Sequence, residues 1–116
     1  MDYKELIKKA YEALDNAYVK YSNYKVGAAV LTKDGNIYTG CNIENASYGL
    51  TICAERTAIF NAVSEGNREI VAIAVITATS DYAKPCGACR QVMIEFMNDD
   101  ATIILANKNK DYIIRT

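Results

Sequence analysis

At 116 residues the chain has the length of a single domain, spanning 1–116, with room for one hydrophobic core. Thirteen basic residues against fourteen acidic ones leave a net charge of −1. That balance offers no electrostatic footprint for a polyanion and argues against duplex DNA or RNA as the partner, while leaving a nucleoside or another neutral small molecule open. Histidine is absent, so imidazole is neither a metal ligand nor the base behind a serine or cysteine nucleophile. Any general base must be a carboxylate, lysine, tyrosine or bound hydroxide.

Leu6, Ala10 and Leu14 recur at i, i+4 and i+8, with Ile7, Tyr11 and Tyr18 beside them, and predict an amphipathic helix over residues 3–17. Residues 21–24 are polar and turn-like. Two apolar runs, 26–31 and 37–41, flank Lys33-Asp34-Gly35-Asn36, and Asp-Gly between such runs predicts a β-hairpin. A second helix is expected from Thr51 as N-cap through Val63, ending before Gly66. Residues 70–78 form a continuous, partly β-branched run that reads as a central strand covered on both faces. Cys89, Val92, Met93 and Phe96 fall at i, i+3, i+4 and i+7 and predict a third helix. Short strands at 101–106 and 112–114 follow, around the polar turn 107–111. This alternation favours a three-layer α/β/α sandwich with a mixed five-stranded sheet.

The N-terminus, Met1-Asp2-Tyr3-Lys4-Glu5, lacks the basic start and apolar core of a secretory signal. No apolar run approaches the roughly 18 residues of a membrane span. A soluble cytoplasmic protein without membrane partners is therefore expected, and in that reducing compartment four cysteines are metal-bound or free rather than paired.

Three of the cysteines stand in Cys53-Ala54-Glu55 and Pro85-Cys86-Gly87-Ala88-Cys89. Each group lies at the start of an expected helix, where free N–H groups and the helix dipole favour the thiolate form that a metal requires. Cys86 and Cys89, three residues apart, share one helical face. Three soft ligands leave one position open for water, as in a catalytic zinc site. Cys41 as a fourth ligand would instead close the site, and a C-x-x-C pair alone also fits a redox motif. Glu55 lies two residues after Cys53, faces differently on a helix, and so fits a proton acceptor beside a bound water better than a ligand. Its bland alternative is an exposed carboxylate in a first helical turn. Three thiolates overcompensate a divalent ion, which calls for a cation at the sulfurs. Arg56 and Arg90 each follow a motif, and either is equally readable as a surface arginine.

These motifs match the zinc deaminase signature, with cysteine where its first histidine stands. Together with Gly40-Cys41-Asn42-Ile43-Glu44-Asn45-Ala46-Ser47-Tyr48, they make nearly the whole chain resemble the small bacterial cytidine deaminases. The resemblance implies hydrolysis of cytidine and deoxycytidine to uridine and deoxyuridine in pyrimidine salvage. It implies one Zn²⁺ per chain on Cys53, Cys86 and Cys89, with Glu55 as proton shuttle and Arg56 beside the thiolates. It also implies that Asn42 and Glu44 hold the ribose 3′-hydroxyl, that Tyr24 packs on the pyrimidine, and that Asn45, Ala46, Tyr48 and Ala54 belong to the substrate site. Without it, residues 42–47 read as a polar loop and Tyr24 as a half-buried tyrosine. A homotetramer is implied too, in which Ala46 and Tyr48 of one subunit reach the site of another. Relatives continue beyond the last strand with a leucine- and proline-containing segment and a helix, whereas this chain stops at Tyr112-Ile113-Ile114-Arg115-Thr116. A related aminohydrolase acting on a modified cytosine nucleoside or on cytosine in RNA, and a zinc-stabilised binding module using Cys41, are the competing readings.

Overall fold

The apolar stripe of the first residues coils as α1, Tyr3–Ala13, and buries Leu6, Ile7, Ala10 and Ala13. The computed structural model describes residues 3–47, 50–80, 82, 87–109 and 111–115, with backbone alone for Gly87 and Arg115. The helix does not run on to 17. It tightens into a 3-10 turn at Leu14–Asn16, and Ala17 is already extended at φ −63°, ψ 133°. The reason lies in the next residue, because Tyr18 donates its N–H to the Asn42 carbonyl (3.0 Å) and accepts from Glu44 N–H (2.8 Å).

Strands β1, Val26–Thr32, and β2, Ile37–Cys41, form the expected antiparallel hairpin, with Leu31 opposite Ile37 and Gly27 opposite Cys41. Helix α2, Ala54–Ser64, strand β3, Ile70–Thr77, helix α3, Gly87–Phe96, and strands β4, Met97–Ala106, and β5, Tyr112–Arg115, complete the order. The sheet runs β2-β1-β3-β4-β5. Its β3/β4 pair is parallel and the other pairs are antiparallel. The sheet is therefore mixed and five-stranded, as the alternation of elements implies.

Side-chain alternation along the strands divides the core into two layers. Ala29, Ala72, Ala74, Ile76, Ile104 and Ala106 face α1. Val26, Ala28, Val30, Ile73, Val75 and Leu105 pack against Ala54, Ala58, Ile59 and Ala62 of α2 and Met93 of α3. Because β3 is covered on both faces, its sequence is apolar from Ile70 to Ile76 rather than alternating.

Two further boundaries differ from expectation. Helix α2 is capped by Cys53, not Thr51. Ile52 exchanges backbone hydrogen bonds with Ile43 (both 2.9 Å), which keeps the chain out of the helix there and delays its start by two residues. Strand β4 begins at Met97 rather than at residue 101, directly where α3 ends. Its early residues Asn98, Asp99 and Asp100 are exposed and polar, so no apolar alternation announces them. Among the described residues, no helix is long and apolar enough to cross a membrane.

The seating of α2 rests on Gly40. A Cβ there would lie 2.4 Å from the Ala58 nitrogen, 2.8 Å from the Ala54 carbonyl oxygen and 2.8 Å from Thr57 Cβ. On the opposite face Gly27 admits α1, where a Cβ would meet the Ala10 carbonyl oxygen at 2.1 Å. The Asn61 amide nitrogen then ties α2 to β2 by donating to the Thr39 carbonyl (2.8 Å). Gly40→Ala must push α2 off the sheet and is expected to cost about 2 kcal/mol. Urea denaturation checks this, and an unchanged midpoint would contradict the close approach.

Candidate active site

The start of α2 concentrates three chemically different side chains. Cys53, extended at φ −77°, ψ 155°, is the N-cap, and Glu55 and Arg56 lie in the first turn. From α3 comes Cys89, also in a first turn and fully buried. Both cysteines thus sit where unpaired helix N–H groups stabilise a thiolate.

Glu55 is not the exposed carboxylate of the bland alternative, for only 4% of it is accessible. Burial pushes its pKa up, and the neighbouring Cys53 charge adds to this. Its own backbone N–H, a hydrogen bond with the Cys89 thiol and the Arg56 charge pull the other way without reversing it. A carboxyl group so placed is suited to take and return a proton.

The two arginines separate. Arg56 Nη2 donates to Cys53 Sγ (3.7 Å) and to the Thr51 carbonyl (3.3 Å). Its hydrogen bond to Cys53, and then one to Cys89, hold its pKa above the ordinary value despite desolvation. Its Nε is buried without a hydrogen-bond partner among the described residues. Arg90, by contrast, is exposed.

Cys86 and Tyr48 lie outside the described residues. Cys41 is a buried free thiol at the end of β2, its pKa raised by desolvation. Among the described residues, no three cysteine or carboxylate side chains are disposed to hold one ion by themselves. Cys41 therefore does not complete a set with Cys53 and Cys89. Two thiols at helix starts with a guanidinium on their sulfurs do fit a soft cation such as zinc, with a third ligand required from elsewhere.

The residues attributed to a nucleoside occupy a second, connected region. Asn42 Oδ1 accepts from Val26 N–H (3.0 Å), and its Nδ2 donates to the Tyr24 carbonyl (2.7 Å). Glu44 Oε1 accepts from the N–H groups of Tyr21 and Ser22 (both 3.0 Å), and Oε2 accepts from the Ser22 hydroxyl. These bonds, led by the Ser22 hydroxyl, hold the Glu44 pKa below its ordinary value. Tyr24, 39% exposed, also donates its N–H to Ser22 Oγ (3.1 Å). Asn45 and Ala46 are exposed, with Asn45 Oδ1 accepting from Ser47 N–H (2.9 Å). Ala54 has no accessible surface and is packed in the core.

Sequence reasoning missed Ser22 and Thr51. Ser22 stands two residues before Tyr24 in a polar turn, the offset at which a serine hydroxyl accepts a following backbone N–H. That pattern was the available signal.

Residues 1–106 match the family model described as the cytidine and deoxycytidylate deaminase zinc-binding region. The chain is 57% identical over 111 residues to the cytidine deaminase of Halalkalibacterium halodurans, covering 96% of this chain and 84% of that one. It is 51% identical over 111 residues to the cytidine deaminase of Sporosarcina psychrophila, covering 96% and 82%. The crystal structure of cytidine deaminase from Burkholderia pseudomallei superposes with a TM-score of 0.92 at 48% identity, covering all of this chain and 93% of that one. With the helix-start cysteines, the buried glutamate and the same mixed sheet, this chain belongs to the family of zinc-dependent cytidine deaminases.

Proposed function

We propose that the protein hydrolyses cytidine and deoxycytidine to uridine and deoxyuridine, releasing ammonia, as a step of pyrimidine salvage. The observation that carries this is Glu55, buried at the start of α2 and hydrogen-bonded to Cys89, with Cys53 and Arg56 beside it. Burial of a carboxyl group between two thiols costs stability and has no evident structural return. Proton transfer supplies a reason for it.

Cys53, Cys86 and Cys89 would hold one Zn²⁺ per chain, which when bound supplies a water acidic enough to lose its proton near neutral pH. Glu55 accepts the proton of the water attacking C4 of the pyrimidine and delivers it to N3. It then assists the second proton transfer, to the C4 amine, which leaves as ammonia. One carboxyl group acts as base and then as acid. Arg56 draws electron density from the sulfurs and so offsets the excess negative charge of three thiolates.

The sugar falls to the loop before α2. Glu44 Oε2 and the Asn42 amide keep hydrogen-bonding capacity beyond their bonds to residues 21–26, so a ribose 3′-hydroxyl can donate to the carboxylate and accept from the amide N–H. The Tyr24 ring, partly exposed and held by its backbone, packs on the pyrimidine. Asn45 and Ala46 are accessible on the same loop, whereas a contact at Ala54 requires its packing to open. The reading also includes a cytoplasmic homotetramer with shared sites. Exposed Tyr18, Tyr21, Ile43 and Leu50 around this loop are the apolar surface such an assembly uses.

Glu55→Gln is expected to keep zinc and fold yet lose at least about a hundredfold in kcat, followed by the ultraviolet absorbance change of cytidine. An active Gln variant would remove the proton-shuttle role. Cys89→Ala should lose zinc and thermal stability together, while Cys41→Ala keeps its zinc. Metal analysis of both proteins checks this, and loss of zinc from Cys41→Ala would restore the closed four-cysteine site.

A further inference from the structure

Between the loop attributed to the sugar and the first thiol stands a residue with no role assigned above, bonded towards both. Ile43 and Ile52 exchange two backbone hydrogen bonds of 2.9 Å and close the segment 44–51 at its base. Thr51, next to this clip, accepts the Asn45 backbone N–H on Oγ1 (3.1 Å). Its carbonyl accepts Arg56 Nη2 (3.3 Å), the same nitrogen that donates to Cys53 Sγ (3.7 Å). Flanking Ile43 of the clip, Asn42 holds the Tyr24 carbonyl and Glu44 holds the turn at Tyr21 and Ser22. Contacts therefore run from the Tyr24 backbone to the Cys53 sulfur, and the hydroxyl and carbonyl of Thr51 point in the two directions.

We propose that Thr51 is a positioning residue for nucleoside hydrolysis: its hydroxyl fixes the loop bearing Glu44, Asn45 and Ala46 at a set distance from the thiols and Glu55. The inference rests on the nucleoside reading given above. The Asn45 side chain itself accepts from Ser47 N–H, a bond that is local and does not tie the loop to α2. The threonine is half-buried and β-branched, so its χ1 is restricted and the hydroxyl is held towards the loop. Its carbonyl bond to Arg56 survives any side-chain replacement, so the loop arm can be cut alone.

Thr51→Val removes the acceptor at nearly constant shape. Loss of one such bond and of the loop's preorganisation is expected to raise KM for cytidine roughly three- to tenfold with kcat held within about twofold. Thr51→Ser, which keeps the hydroxyl, should restore the wild-type KM. Amide hydrogen exchange gives a readout independent of turnover, with the Asn45 N–H exchanging faster in Thr51→Val than in the wild type or Thr51→Ser. A purely structural role would lower zinc content and kcat together and leave KM unchanged, and that pattern would overturn the proposal. Unaltered Asn45 exchange in Thr51→Val would overturn it equally. Failure of the wild-type protein to turn over cytidine would fall on the nucleoside reading, and the exchange experiment would then decide whether Thr51 fixes the loop.

Discussion

Where α2 begins decides nearly everything else about this protein. The reciprocal Ile43/Ile52 hydrogen bonds hold the chain extended until Cys53, and Gly40 lets the first turn of the helix settle onto β2 with no side chain between them. Those two constraints place Cys53 at the N-cap, bury Glu55 and turn Arg56 back onto the sulfur. Shifting the helix register by a residue would rotate the group by about 100°, since successive helical residues are spaced by that angle, and would carry Glu55 and Arg56 away from Cys89.

Burying a carboxyl group is unfavourable unless its hydrogen-bonding needs are met. Here the Cys89 thiol, the backbone N–H of Glu55 and the Arg56 charge meet part of that need, and the pKa still rises because desolvation is larger. The same guanidinium bonds Cys53 and Cys89, so Arg56 links the two helix starts and restrains the charge of the thiols. Arg90, one residue after Cys89, is exposed, and among the described residues it is Arg56 that bonds the sulfurs. The site is thus organised by two helix N-termini and one arginine, and alanines of α2, Ala54, Ala58 and Ala62, let that helix approach the sheet.

Much of the architecture was legible because it rests on local pattern. The hairpin followed from Asp34-Gly35 between apolar runs, the central strand from its unbroken apolar stretch, and the helices from their i, i+3, i+4 spacing. The misplaced α2 start has a non-local cause, the Ile43/Ile52 bridge, which no window of sequence contains. Strand β4 was shortened because Asn98, Asp99 and Asp100 are exposed and polar and lie in the irregular stretch between the Ile70/Met97 and Ala72/Thr102 pairs, where no apolar alternation marks a strand. At the site, Cys53, Glu55 and Cys89 were legible from residue type and spacing, as chemistry of this kind needs thiols and a carboxylate together. Arg56 and Arg90 were indistinguishable until their orientation was known. Asn42 and Glu44 were singled out only through family resemblance, and nothing in the sequence except the polarity of residues 21–24 announced their bonds to residues 21–26.

The account makes the two helix starts, with Glu55 between them, a device for replacing an amine by water on a cytosine nucleoside. Stoichiometric formation of uridine and ammonia from cytidine by the purified protein tests this most directly, measured before and after zinc is removed with a strong chelator and then returned. The account predicts turnover that disappears with the metal and reappears with zinc. Turnover that persists undiminished in the metal-free protein, or its absence from the zinc-loaded one, would contradict it.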